Sequence, residues 1–290
     1  MASLQYPDKQ FAGTKRAIAH RGASAYAPEH TLASYRLAIA QGADYVEQDL
    51  AVTRDAVLIC LHDDSLERTT NVEELYPDRA VVDAAGRRRW LAVDFTLAEI
   101  KRLDAGSWFD ARFTGERVPT WEEAIDLVGF DAGLYPELKS PSFYRERGID
   151  IVGLFRTSLK RLRRAPAPES LVVQSFNARA LRELAGTLSH VWRTFLIEVS
   201  DGARRLNPTG LEEISRFATG IGPHKSLVEG YPEVVASAHH AGLSVTPYTF
   251  TSRAPAGRFP DVGDEMRHYL FDLGVDALFT DNPDRFPRRP

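Results

Sequence analysis

Two histidines, three carboxylates and two cations stand in this sequence where they could act together: His20 with Arg21, Glu47 with Asp49, His62, and Glu137 with Lys139. Glu47 and Asp49 are two residues apart, as are Glu137 and Lys139. In an extended chain that spacing puts both side chains of a pair on one face. Glu47, Asp49 and Glu137 are hard oxygen donors of the kind that hold Ca²⁺ or Mg²⁺. Gathered without a cation they would repel one another, and one divalent ion would relieve that. Arg21 offers a planar fork that matches phosphate with two parallel hydrogen bonds, and Lys139 adds a point charge. His20 and His62 can take or give a proton near neutral pH. Such a set suits attack on a phosphate ester: metal and arginine draw charge from the phosphoryl oxygens, and the histidines serve nucleophile and leaving group.

Each residue alone has an ordinary explanation. A histidine at a strand end more often serves structure than catalysis, a lone Glu-x-Asp carries little information, and Arg21 could simply pair with Glu47 or Asp49. The set carries weight only if one fold brings it to one place.

The elements that would do so are short β-rich runs alternating with amphipathic segments. Strands are expected at Ala17–His20, Tyr45–Thr53, Ala56–His62, Leu134–Lys139, Leu171–Phe176, Trp192–Ile197, Thr219–Pro223, Ser244–Phe250 and Ala277–Thr280. Helices are expected at Thr31–Gln41, stopped by Gly42, and at Trp121–Val128, Ile149–Arg163, Ala178–Leu184, Pro232–Ala241 and Glu265–Leu273. Alternation of this kind makes a parallel sheet with crossover helices. One pair breaks it. Only Arg54-Asp55 separates Tyr45–Thr53 from Ala56–His62, which permits a tight hairpin and no crossover helix. With Arg54-Asp55 as the turn, Glu47 falls opposite His62, within a residue. Without the returning arm eight parallel strands remain, the number for an α/β TIM (β/α)₈ barrel, whose catalytic residues gather at the C-terminal strand ends. Ser65–Pro119, with Tyr76-Pro77-Asp78, Arg87-Arg88-Arg89 and a short helix expected at Leu97–Leu103, reads as a small insertion in a single domain spanning 1–290. Ala165-Pro166-Ala167-Pro168 reads as a linker into the strand at Leu171.

Composition agrees. The 290 residues suit one barrel of about 250 residues plus an insertion. With 43% hydrophobic and 26% charged residues the chain reads as soluble and globular. A net charge of −4 argues against a nucleic-acid partner. The single cysteine, Cys60, sits in an apolar run and reads as a small buried residue. No apolar stretch approaches the ~18 residues that cross a bilayer. The first residues show no signal-peptide core.

The blocks Ala19-His20-Arg21-Gly22-Ala23-Ser24, Pro28-Glu29-His30-Thr31, Gly42-Ala43-Asp44-Tyr45-Val46-Glu47-Gln48-Asp49-Leu50 and Leu61-His62-Asp63 resemble, in order, the glycerophosphodiester phosphodiesterase family. Its pattern is His-Arg, a Glu-x-Asp and a later His. The resemblance continues through Asp94-Phe95-Thr96-Leu97, Tyr135-Pro136-Glu137-Leu138-Lys139, Gln174-Ser175-Phe176, Gly220-Ile221-Gly222-Pro223, Pro247-Tyr248-Thr249 and Leu278-Phe279-Thr280-Asp281, nearly the whole chain.

The resemblance implies a barrel with an insertion near Ser65–Pro119. It implies one divalent ion, Ca²⁺ or Mg²⁺, on Glu47, Asp49 and Glu137, with His20 and His62 as the acid–base pair and Arg21 on phosphate. The implied reaction is hydrolysis of small glycerophosphodiesters, such as glycerophosphocholine and glycerophosphoethanolamine, to glycerol 3-phosphate and an alcohol. The nucleophile is either water or the glycerol 2-hydroxyl, acting through a cyclic phosphate. Several blocks look most like the periplasmic bacterial branch, which implies a periplasmic or secreted protein, although no signal peptide is visible. Many relatives have Asn where this chain has His30, so the hydrogen bonds behind the site should differ there. His224 is a candidate for substrate contact, with a solvated loop as the alternative. Phe176 and Tyr248 are candidate walls for glycerol or head group, with core packing as the alternative. Two rival readings are a lysophospholipase D-type enzyme and a non-catalytic glycerophosphodiester-binding protein. The first needs a surface for an acyl chain, and no strongly amphipathic lipid-binding helix is evident. The second would usually have lost a histidine or a metal carboxylate, and none is missing.

Overall fold

Odd and even positions of the strand β2, Tyr45–Val52, go to different places. Val46, Leu50 and Val52 join the large apolar cluster between the sheet and its helices, while Tyr45 joins a smaller cluster with Ile18, Tyr135, Trp192 and Phe279. This period of two is what a closed sheet imposes, one face turned to the surrounding helices and the other into the lumen. The computed structural model describes residues 10–289 apart from 12, 130, 162–169 and 255–256. The expected linker at Ala165–Pro168 lies outside the described residues.

The strands are β1 (Arg16–Ala19), β2, β3 (Leu58–Cys60), β4 (Val81–Val82), β5 (Arg88–Arg89), β6 (Gly133–Leu138), β7 (Val172–Ser175), β8 (Trp192–Ile197), β9 (Gly220–Pro223), β10 (Ser244–Val245) and β11 (Ala277–Thr280). They run β10-β9-β8-β7-β6-β2-β1-β11, with all neighbours parallel. The chain beyond β10 closes the ring against β11: Phe279 N donates to Pro247 O at 3.1 Å and Phe250 N to Phe279 O at 2.9 Å. The fold is the expected TIM (β/α)₈ barrel, with its eighth strand in regular pairing over two residues and extended to Phe250 by single bonds.

Caps set the helix bounds. Thr31 lies before Leu32–Ala40 and its hydroxyl accepts from Ser34 N at 3.2 Å. Thr120 and Glu123 close a reciprocal capping box on Trp121–Val128. The helix expected at Ile149–Arg163 runs over Ile151–Arg161, and a short helix not expected from the sequence precedes it. Pro141 opens Pro141–Glu146, Gly148 breaks the chain direction with φ +75°, and Ile151–Arg161 follows. The last crossover starts earlier than expected, at Val262, because Asp261 caps it, and continues as a wider π turn over His268–Asp272.

β3 pairs antiparallel with β2, as the short spacing implies, but the turn takes three residues. Ala56 adopts φ +60° and Thr53 N bonds Val57 O at 3.0 Å. Leu61 N therefore reaches Asp49 O at 2.8 Å. The next position brings His62 opposite Gln48, one residue from the expected partner. The following segment, 65–119, holds the β4–β5 pair and short helices at Val72–Leu75 and Leu97–Ile100, the second shorter than expected. Leu66, Trp90, Phe95, Ile100, Leu103 and Val118 form an apolar cluster there, packed on Ala51, Ile59 and Leu61 of the hairpin. Among the described residues no helix is long and apolar enough to cross a membrane.

Candidate active site

Two residues beyond the inward-facing Tyr45, Ile18 and Tyr135 stand Glu47, His20 and Glu137. The same alternation that fills the lumen with aromatic rings lifts polar groups to its C-terminal mouth. All ten candidate residues line one cavity of about 340 Å³ there, together with Gln174, Leu196, Thr249 and Phe279.

One carboxylate oxygen each from Glu47, Asp49 and Glu137 lies within 4.8 Å of the others. The three residues are only 4%, 1% and 6% exposed. Burial pushes the Glu47 carboxyl up to about 7 and holds Glu137 well above the ordinary range. Asp49 goes the other way. Burial opposes its ionisation, but Lys139, His30 and His62 outweigh that and keep it well below the usual range. The donor set fits a hard divalent cation. It is all oxygen, and Asp49 Oδ1 is buried without a hydrogen-bond partner. One oxygen of each carboxylate is engaged by a neighbouring side chain. Asp49 Oδ2 is 2.7 Å from His30 Nε2, Gln174 Nε2 donates to Glu47 Oε1 at 2.6 Å, and Lys139 Nζ is 3.2 Å from Glu137 Oε1. His30 also lies 2.8 Å from the Tyr35 hydroxyl through Nδ1. Burial lowers its pKa, which suits a neutral ring donating Nε2–H to Asp49 and accepting from Tyr35.

His20 and His62 each have a carboxylate behind them. Asp281 Oδ1 is 2.7 Å from His20 Nδ1, and Asp63 Oδ1 is 2.6 Å from His62 Nδ1. Burial alone would lower the His20 pKa, but Glu47 and Asp281 raise it on balance. Its Nε2 lies 3.7 Å from Glu47 Oε2.

Arg21 is placed by its backbone. It adopts φ +58°, unfavourable for a residue that carries a Cβ, and is held there by three hydrogen bonds. Its N–H donates to Glu47 Oε2 at 3.0 Å, and its carbonyl accepts from Ser34 Oγ at 2.9 Å and His30 N at 3.1 Å. Gly22 follows at φ +89°, where a Cβ would lie 2.0 Å from Ser34 Oγ. The guanidinium donates to Glu29 at 3.0 Å and lies 3.5 Å from Asp49 Oδ2. Across the cavity, Tyr248 meets Phe176 and His224 edge-on at 6.0 and 5.7 Å. The His224 ring also caps Lys225–Gly230 by accepting from Ser226 N.

Residues 20–285 match the Glycerophosphoryl diester phosphodiesterase family. The chain belongs to that family. A glycerophosphodiester phosphodiesterase of Bacillus subtilis (strain 168) is 35% identical over 278 residues, covering 93% of this chain and 84% of the relative. One of Haemophilus influenzae is 29% identical over 336 residues, covering 97% and 91%. The solved structure of an Oleispira antarctica phosphodiesterase in complex with the product sn-glycerol-3-phosphate superposes with a TM-score of 0.75 at 28% identity, covering 96% of this chain and 97% of that one. As a member of the family the chain is an enzyme, a phosphoric diester hydrolase acting on small glycerophosphodiesters.

Four residues in or behind the candidate site were not singled out from the sequence: Glu29, Arg68, Gln174 and Asp281. Asp281 had a signal, a carboxylate one position past the strand β11, as His20 is one past β1. Arg68 had none. It sits in the insertion-like segment and reaches Glu29 and Asp63 only through the fold.

Proposed function

We propose that the enzyme hydrolyses glycerophosphocholine, glycerophosphoethanolamine and similar diesters to glycerol 3-phosphate and an alcohol, with one divalent ion, Ca²⁺ or Mg²⁺, and His20 and His62 as acid and base. The observation that carries this reading is the convergence of three buried carboxylates, one with an unpartnered oxygen, between two histidines that each have a carboxylate behind Nδ1. A bound ion would offset two of the three charges of Glu47, Asp49 and Glu137, with Lys139 beside the third, and would draw charge from a phosphoryl oxygen. Arg21 and Lys139 hold the remaining phosphate charge. Asp281 and Asp63 occupy Nδ1 of their histidines, so proton transfer falls to Nε2 of each. One ring takes the proton from the attacking oxygen and the other gives one to the departing alcohol. Phe176, Tyr248 and His224 wall the mouth where glycerol or head group would lie. In this reading the chain is one barrel domain with 65–119 as an insertion, closest in motif to the periplasmic bacterial branch.

The test is glycerol 3-phosphate release from glycerophosphocholine before and after EDTA, with Ca²⁺ and Mg²⁺ returned separately. Release is expected to stop with chelator and return with one ion. Release unaffected by exhaustive chelation would remove the metal from the reading. No release under any condition from folded protein would favour the lysophospholipase D-type or the binding-protein reading.

A further inference from the structure

The reaction as described gives no role to Arg68, yet its side chain spans two carboxylates. Nη1 and Nη2 donate to Glu29 Oε2 and Oε1 at 2.8 and 2.7 Å, and Nε donates to Asp63 Oδ2 at 2.5 Å. Each carboxylate continues to a group at the cavity. Glu29 Oε1 also accepts from Arg21 Nη1 at 3.0 Å, and Asp63 Oδ1 meets His62 Nδ1 at 2.6 Å. We propose that Arg68 is a positioning residue of the reaction, which holds the phosphate-gripping Arg21 and the acid–base His62 in register with each other. The inference rests on the functional reading of those two residues given above.

The geometry calls for a guanidinium. Its planar fork serves two oxygens of Glu29 and still leaves Nε for Asp63, whereas an ammonium is a single point. Two consequences follow for the site. Glu29 divides its charge between two guanidiniums, so Arg21 is held without being fully neutralised and keeps donors for phosphate. Asp63 is fixed from behind, and so fixes the His62 ring. His62 needs this more than His20, because its side chain is 31% exposed against 18% and it lies beyond the end of a hairpin strand. The anchor of the strut is the segment 65–119: Leu66, two residues before Arg68, is fully buried in that segment's apolar cluster. The low Glu29 pKa, about 2, is consistent with this sharing: burial opposes ionisation, and Arg68 and Arg21 outweigh it.

The experiment is a double-mutant cycle of Arg68→Met and Asp63→Asn, with Arg68→Lys alongside, read as separate kcat and KM for glycerophosphocholine and as melting temperatures. Arg68→Met should lower kcat about 10- to 100-fold, the size typical of partners that orient a site ligand, and raise KM severalfold. Arg68→Lys should recover little of either. In the Asp63→Asn background Arg68→Met should lower kcat by less than about threefold, since the path to His62 is already cut, while its effect on KM through Glu29 persists. Losses in kcat that multiply in the double variant, or wild-type kinetics in Arg68→Met, would overturn the inference. If Arg68→Met does not fold, the cycle is run with Arg68→Lys, which keeps one ion pair, and the same non-additivity decides. Wild-type protein that releases no glycerol 3-phosphate overturns the functional reading and this inference together; active wild type with indifferent Arg68 variants overturns this inference alone.

Discussion

The floor and the mouth of the barrel are built on the same strands, two residues apart, under opposite rules. On the floor Tyr45, Tyr135 and Phe279 pack edge to face at 5.9 and 5.1 Å, with Phe11 closing against Tyr45 and Trp192. At the mouth the next inward positions on those strands are Glu47, Glu137 and Asp281. Exposure does not separate the levels, since Tyr45 is 8% exposed and Glu47 4%. The sign of the burial energy does. Removing an aromatic ring from water favours folding, while removing three carboxylates opposes it unless a counter-charge is supplied. The mouth therefore reduces stability for the sake of chemistry, and the floor offsets it.

That contrast is broken most sharply at its two extremes. His20→Ala or His62→Ala should each lower kcat by about 10³-fold or more, with the melting temperature within a few degrees of wild type. Trp192→Ala should do the reverse, losing roughly 3–5 kcal/mol of stability while the folded fraction keeps near wild-type kcat. Denaturant melts and steady-state kinetics on the three variants check both halves. Near-normal turnover in a folded histidine variant would take that residue out of the mechanism.

The strands and much of the mouth were legible in the sequence because both show a period of two within single strands. Glu47 and Asp49, or Glu137 and Lys139, need only an extended backbone to share a face. The eight-strand count followed from one hairpin too short for a crossover. What was not legible depends on long separations or on single dihedrals. Asp281 reaches His20 across 261 positions and Arg68 reaches Glu29 across 39, and no local pattern marks either pair. The hairpin register turned on Ala56 taking a left-handed conformation that its residue type does not announce. The helix Pro141–Glu146 was hidden because six residues make fewer than two turns, too few to show a helical period.

A milder probe of the same contrast is Glu137→Gln. It keeps the shape and removes a carboxyl whose ionisation burial resists. Cation binding should be lost, with activity falling alongside. Chelator-treated protein should become more stable by about 1 kcal/mol, because a buried carboxyl crowded against Asp49 and Glu47 is gone. Urea melts in EDTA read the sign. A loss of stability would show instead that the Lys139–Glu137 pair, at 3.2 Å, holds the mouth together.

The smallest effect is in pH. Glu47 is held at about 7 by burial, above its ordinary 4.5, so the metal-free folded state keeps a proton there that the unfolded chain releases. Between those values the folded state binds more protons, and this carboxyl's contribution to stability falls as pH rises toward 7. A cation must displace that proton at pH 5.5 but meets Glu47 ionised beside the Asp49 carboxylate at pH 8. The rise in melting temperature produced by the activating ion should therefore widen from pH 5.5 to pH 8, measured as the difference between ion-loaded and EDTA-treated protein at each pH. Taking the difference cancels groups such as Glu29, whose low pKa influences both forms alike. A gap that stays constant across that range would mean the carboxylates are already ionised at pH 5.5, and that Arg21 and Lys139, rather than a cation, balance the charge at the mouth.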